Sequence, residues 1–415
     1  MPSYLVLQAA RFGDLVQTKR LLLTLAARGE VHLAVDEGLV PLARLLYPFA
    51  RLHALAVHGA PSAAALDRNR AVLAHWRGMS FDGVYNCNYS PLTTALCRVF
   101  PMETVCGYRP EQGRIARSPW ARIGFALSAK RVLTPLNLVD FWAYFAQDPV
   151  PPSTVNPTAK PGGRGLGVVL AGREARRSLP LPVLADLTQT AFGILHGPKV
   201  YLLGQRAEQS LARQLLRSLP VGMQARVEDL SGKTDWPGLV EALSGLDAVI
   251  TPDTGSMHLA AHLGVPVLAF FLSSAWLHET GPYGEGHYVW QAARACAPCL
   301  ESAPCPCATS CGQPFVGAAI LRSLALVLGG KGRARAVTLP LGLQLWQTAT
   351  DALGAKALLM AGEDAHARRR AEVRALLMAQ VGLPQAEDAL EAWSPEVQEW
   401  FFKDADWMLP PGRYC

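Results

Sequence analysis

The sequence predicts an α/β chain built from two doubly wound domains, each a parallel sheet with helices on both faces. Three observations carry this. Short β-type runs alternate with helical runs through the first 150 residues. A Pro- and Gly-rich stretch then interrupts the alternation, which restarts beyond it. The 415 residues are more than one ordinary hydrophobic core accommodates.

Taken in order, "YLVLQA" (4–9) reads as a strand and "ARFGD" as a short loop. A helix is expected from Leu15 to Arg28, with Leu15, Leu22, Leu25 and Ala26 on one face and Lys19 and Arg20 reaching water. "VHLAVD" (31–36), "LHALAV" (52–57) and "FDGVYN" (81–86) are further strands. "QDPVPPSTVNPTAKPGGRG" (147–165) carries five prolines and three glycines without any period, so 151–165 reads as a linker between a domain at 1–150 and one at 166–330. The second domain has strands at 165–172, 199–204, 247–253 and 265–271, with helices near 206–218 and 237–245. Beyond residue 330 the alternation stops, and 331–415 reads as a helical extension.

Composition narrows the function. Half the residues are hydrophobic and 17% are charged, which is globular and not disordered. The net charge of +6 suits an anionic ligand or membrane surface, while the lack of a dense basic tract argues against nucleic acid as a partner. The N-terminal run has no basic n-region and breaks at Arg11, unlike a signal peptide. The uncharged stretch 254–277 is interrupted by Gly264 and Pro266 and reads as helix, turn and strand, not as a membrane span. A cytoplasmic protein is expected, its nine cysteines reduced or metal-bound.

The most informative segment is "DAVITPDTGSMHLAAHLGVP" (247–266). A strand ends at Thr251, a helix begins near Thr254–Ser256, and Gly264 with Pro266 stops it. Asp253, Thr254 or Ser256 can each cap that helix. The helix N-terminus also offers N–H groups and positive potential to a phosphate or diphosphate, and Gly255 permits close approach. Local sequence leaves cap and anion site open.

These residues resemble glycosyltransferase family 9, the heptosyltransferases of lipopolysaccharide core assembly. The likeness rests on Asp253, Thr254, Gly255, His258, Leu259, Ala260, Gly264 and Pro266. "RFGD" (11–14), "LLGQRAE" (202–208), "LSGKT" (230–234) and "TGPYG" (280–284) resemble further family segments in the same order. The resemblance implies the GT-B fold, two Rossmann-like domains facing a cleft, with the acceptor on the N-terminal side. It implies inverting transfer of a heptose from ADP-heptose to a hydroxyl of a lipopolysaccharide core or related glycolipid acceptor, with peripheral contact at the cytoplasmic face of the inner membrane.

By the same resemblance Asp14 is the base, although local sequence alone favours an N-cap for the helix that follows. Arg176 or Arg177 stands where the family has a basic residue for the diphosphate, and Leu179 replaces the usual Trp, so the two arginines stay undecided. Glu208 matches the carboxylate that holds the ribose, with first-turn helix stabilisation as the local alternative. Asp253, Thr254, Gly255, Ser256, Met257 and His258 complete the expected donor site. No cofactor or catalytic metal is required; the lone Asp-x-Asp, at 404–406, lies in the tail. Cys296, Cys299, Cys305, Cys307 and Cys311 are either reduced structural thiols or a structural zinc site, with an iron–sulfur cluster less favoured by the spacing. Two alternatives stand beside the main reading. One is a related transferase using another sugar or a protein or other glycan acceptor. The other is a non-catalytic nucleotide-sugar-binding or scaffold protein.

Overall fold

The computed structural model describes residues 1–59, 62–172, 174–300, 303–305, 307–330 and 338–383. The chain divides into two units, Met1–Val150 with the segment from Arg368 onward, and Pro151–Ala367.

The first unit is a six-stranded sheet in the order β3-β2-β1-β4-β5-β6. Its strands are β1 (Ser3–Leu7), β2 (Glu30–Asp36), β3 (Arg51–Leu55), β4 (Gly83–Asn86), β5 (Val105–Glu111) and β6 (Arg114–Arg117). All neighbours are parallel except β5 and β6, which form a hairpin. β1 is completely buried at Leu5, Val6 and Leu7, as a strand covered on both faces requires. The order reverses between β1 and β4, so the loops leaving these two strands open the crevice where such sheets bind ligands.

The second unit is an eight-stranded sheet in the order β14-β13-β12-β11-β10-β7-β8-β9. The strands are β7 (Leu166–Val169), β8 (Val200–Leu203), β9 (Val227–Asp229), β10 (Ala248–Thr251), β11 (Val267–Phe271), β12 (Tyr288–Ala292), β13 (Leu343–Thr350) and β14 (Ala355–Ala361). β7 to β12 are parallel, and β13 and β14 are antiparallel additions. Here the order reverses between β7 and β10. Both sheets bear out the doubly wound expectation.

Four details correct the sequence reading. The helix expected from Leu15 to Arg28 is two helices, Phe12–Gln17 and Lys19–Ala26. They meet at Thr18, whose hydroxyl donates to the Asp14 carbonyl at 2.8 Å, a back-bond of the kind that bends helices. Arg20 does not reach water. It pairs with Asp140 at 2.6 Å, both 1% exposed, donates to the Val150 carbonyl and lies over the Tyr144 ring. Lys19 is also drawn inward, and burial pulls its pKa down to about 8.

The stretch read as a linker is docked on the second unit: Asn156 donates to the Tyr283 carbonyl, and the N–H groups of Ala159 and Lys160 to Glu285 and Gly264. The extension read as helical contains β13 and β14. "AKALLMA" is rich in helix formers, but pairing along β13 overrides propensity. Among the described residues of that stretch the helix is Ala367–Gln380, and 404–406 lies outside the described residues.

Candidate functional site

The reversal point of the second sheet gathers the loops after β7 and β10, and with them most of the expected donor residues. After β10 the chain turns extended at Thr254 and enters the helix Gly255–His262. Thr254 is the cap: its hydroxyl accepts from the Met257 N–H at 3.3 Å. Gly264 closes the helix at φ +72°, and a side chain there would collide with Pro157. Gly255 and Ser256, half-buried, present the first N–H groups of the helix, which have no carbonyl within it to bond. The Met257 side chain is fully buried and belongs to the core.

Asp253 does not cap. It is 7% exposed, and its Oδ2 accepts from Arg177 at 2.7 Å and from the Thr280 hydroxyl at 3.1 Å. Arg177 also donates to the Asp253 carbonyl at 2.7 Å, so the guanidinium is clamped on two oxygens of one residue. The His258 Nε2 stands 3.8 Å from Asp253 Oδ1. Burial, aided by the nearby Arg177 charge, lowers the His258 pKa to about 3, so this imidazole is neutral at pH 7. The result is one oriented cation beside a capped helix N-terminus, an arrangement suited to a phosphate or diphosphate.

Arg176 and Arg177 separate in the structure. They share the 3-10 turn Ala175–Arg177, in which consecutive side chains project about 120° apart. Arg177 joins Asp253, whereas Arg176 donates to the Ala303 and Leu300 carbonyls of the cysteine loop at 2.8 and 3.1 Å. Glu208 follows β8, next to β7 in the sheet. Its carboxylate accepts from the Gln205 N–H, closing a capping box at the first turn. "LSGKT" sits beside it, with the Gly232 N–H donating to the Gly204 carbonyl at 2.8 Å.

Cys296, Cys299, Cys305, Cys307 and Cys311 line one small pocket with Arg176 and Ser273. The Ser273 hydroxyl and Cys299 thiol are 3.2 Å apart, and the Thr309 N–H donates to Cys305 Sγ at 3.3 Å. Among the described residues no three His, Cys, Asp or Glu side chains are gathered closely enough to hold a metal ion. These thiols share a pocket but are not drawn into a cage.

In the first unit Asp14 lies in the first turn of Phe12–Gln17, with its Oδ2 accepting from the Arg11 N–H at 3.2 Å. It is half-buried, at the reversal point between β1 and β4. Sequence reasoning missed three participants. Thr280 was visible only as part of "TGPYG"; Gln8 and Asn88, 80 residues apart, meet beneath the Asp14 loop with no local signal.

Comparison with known proteins gives a consistent picture. Residues 191–307 match the family described as glycosyltransferase family 9 (heptosyltransferase). The chain is 30% identical over 78 residues to lipooligosaccharide heptosyltransferase 2 of Haemophilus influenzae and 31% identical over 75 residues to lipopolysaccharide heptosyltransferase 2 of Escherichia coli. Each alignment covers 22% of the relative and under a fifth of this chain (19% and 18%). The fold matches E. coli ADP-heptose lps heptosyltransferase II with a TM-score of 0.57 at 16% identity, over 80% of this chain and 99% of that one. It matches a family 9 glycosyl transferase from Veillonella parvula with a TM-score of 0.60 at 13% identity, over 80% and 98%. An E. coli heptosyltransferase solved with ADP matches at 0.54 and 18% identity, over 70% and 93%. At these identities the structural likeness speaks for the fold, which is GT-B.

Proposed function

Taking the chain as a member of glycosyltransferase family 9, we propose that it is an inverting transferase that moves a heptose from ADP-heptose to a hydroxyl of a lipopolysaccharide-core or related glycolipid acceptor. One observation carries the reading: Arg177, clamped on Asp253, beside the N-terminus of Gly255–His262 at the reversal point of the second sheet. The donor assignment draws support from structural relatives named for ADP-heptose or solved with ADP.

In this reading the acceptor oxygen attacks the anomeric carbon as the bond to the diphosphate breaks, and Asp14 takes the acceptor proton. Negative charge collects on the departing phosphate. Arg177 and the Gly255 and Ser256 N–H groups stabilise it, preorganised so that little rearrangement is needed. Asp253, supported by Thr280, aims Arg177; neutral His258 packs against that pair without adding charge. Glu208 is read as the ribose carboxylate. No metal enters these steps, and the cysteine loop is read as reduced thiols that seat Arg176. Among the described residues no helix is long and apolar enough to cross a membrane. We place the enzyme in the cytoplasm, meeting its glycolipid at the inner membrane face.

The test is turnover with ADP-heptose. Asp14→Ala is expected to lose at least about 10²-fold in kcat while still binding ADP. Activity within about threefold of the parent removes Asp14 from the base role. A thermal-shift panel of nucleotide sugars identifies the donor, because the true ligand stabilises by linkage. Metal analysis of the purified protein decides the cysteine loop: an equivalent of zinc or iron assigns it to a structural metal.

A further inference from the structure

Beneath Asp14 runs a continuous chain of buried polar groups. Asn86, at the end of β4, donates to the Tyr108 carbonyl at 2.7 Å, and its Oδ1 accepts from the Asn88 N–H at 3.1 Å. Asn88 Nδ2 donates to Gln8 Oε1 at 2.5 Å, and Gln8 Nε2 donates to Thr18 Oγ1 at 3.0 Å. The Thr18 hydroxyl donates to the Asp14 carbonyl at 2.8 Å. Gln8, Thr18 and Asn86 are fully buried and Asn88 is 8% exposed.

One backbone group sets the direction of the whole relay. The Ala9 N–H donates to Asn88 Oδ1 at 2.8 Å. An N–H requires an acceptor, so the Asn88 oxygen faces Ala9 and its NH₂ faces Gln8. The Gln8 oxygen must then face Asn88, and its NH₂ must face Thr18. The Asp14 carbonyl can only accept, so the Thr18 hydroxyl, accepting from Gln8, turns its proton to Asp14. Each link polarises the next in the same sense. The loop Ala9–Asp14 is thereby held at both ends, at the Ala9 N–H and at the Asp14 carbonyl.

Simple stabilisation does not call for this arrangement, since apolar side chains of similar shape fill such a space with no buried amides to satisfy. What the relay supplies is orientation: it ties the loop after β4 to the turn that carries Asp14. We propose that Gln8, Thr18 and Asn88 are positioning residues for Asp14, holding its carboxylate in line with the acceptor hydroxyl. The inference rests on the reading of Asp14 as the base.

The experiment compares Asp14→Ala, Thr18→Val, Thr18→Ser and Asn88→Asp in steady-state transfer from ADP-heptose, with ADP binding measured by calorimetry. Thr18→Val keeps shape and removes the hydroxyl, and Thr18→Ser restores it. Asn88→Asp keeps the acceptor for Ala9 and removes the donor to Gln8, and it serves if Thr18→Val fails to fold. Thr18→Val and Asn88→Asp are expected to lose about 10- to 100-fold in kcat, the scale of a small misplacement of a reacting group. Donor KM and ADP affinity should stay within about twofold, and Thr18→Ser should keep kcat within about threefold. Parent-like kcat in both Thr18→Val and Asn88→Asp, or equal losses in Thr18→Ser and Thr18→Val, overturns the relay alone. An active Asp14→Ala overturns the base and the relay together.

Discussion

The two sheets reverse their strand order at equivalent places, yet the loops there are built from opposite materials. In the first unit the loop is fixed by neutral amides and hydroxyls, Asn88, Gln8 and Thr18. In the second it is fixed by an ion pair, Arg177 with Asp253, joined by Thr280. The proposed tasks explain the contrast. A base has to be aimed at the proton it takes, and neutral hydrogen bonds beneath the loop can hold it so. A diphosphate site needs a cation already aimed and already desolvated. Fold topology sets where a site forms, and the polar side chains beneath the loop set which half of the reaction it serves.

The largest expected effect tests the ionic side. Arg177→Ala leaves the Asp253 carboxylate, 7% exposed, without its cation. Breaking such a pair costs about 3 kcal/mol, seen as a lower unfolding temperature, and ADP affinity should fall with it. Asn88→Ala should cost about 1–3 kcal/mol for the groups left unbonded, with ADP affinity unchanged in calorimetry. If the two variants lose equally in ADP binding, the contrast between the two loops is wrong.

Acid should act next, and on both units, since burial also lowers the pKa of His53 in the first to about 4. The pKa values of His258 (about 3) and His287 (about 4) are held down by burial, below the ordinary 6.5. Their contribution is complete above about pH 6.5 and is lost as pH falls towards these values. Thermal unfolding should drop by several degrees between pH 7 and pH 4.5, and a buried apolar residue at His287 should reduce that slope. The smallest effect is Thr254→Ala, about 1 kcal/mol for the lost cap in denaturant titration.

Legibility in the sequence followed local pattern. The strands before each reversal point were readable because apolar runs ended at turn residues, as in "DAVITPDTG". β14 was not, since its alanines and leucines favour helix and pairing along β13 makes it a strand; β13 was passed over although Trp346, Thr348 and Thr350 suit a strand. The site motif was legible as strand, turn and helix, but Asp253, Thr254 and Ser256 were equal candidates for the cap that Thr254 supplies. The choice between Arg176 and Arg177 depends on how one short turn aims adjacent side chains, which residue identity does not encode. Gln8 and Asn88 were invisible because their meeting is a property of parallel strand order.

The helix Ala367–Gln380 has a consequence for synthesis. It belongs with the first unit: Arg370 donates to the Val132 carbonyl, Arg374 to that of Pro135, and Val373, Leu376 and Leu377 are buried. A nascent chain therefore delivers the last piece of its first-made unit only after the whole second unit has been translated. At ribosomal speeds of about 5–20 residues per second, the first unit waits some tens of seconds for that helix. The second unit, contiguous in the chain, needs no such late segment to complete its contacts.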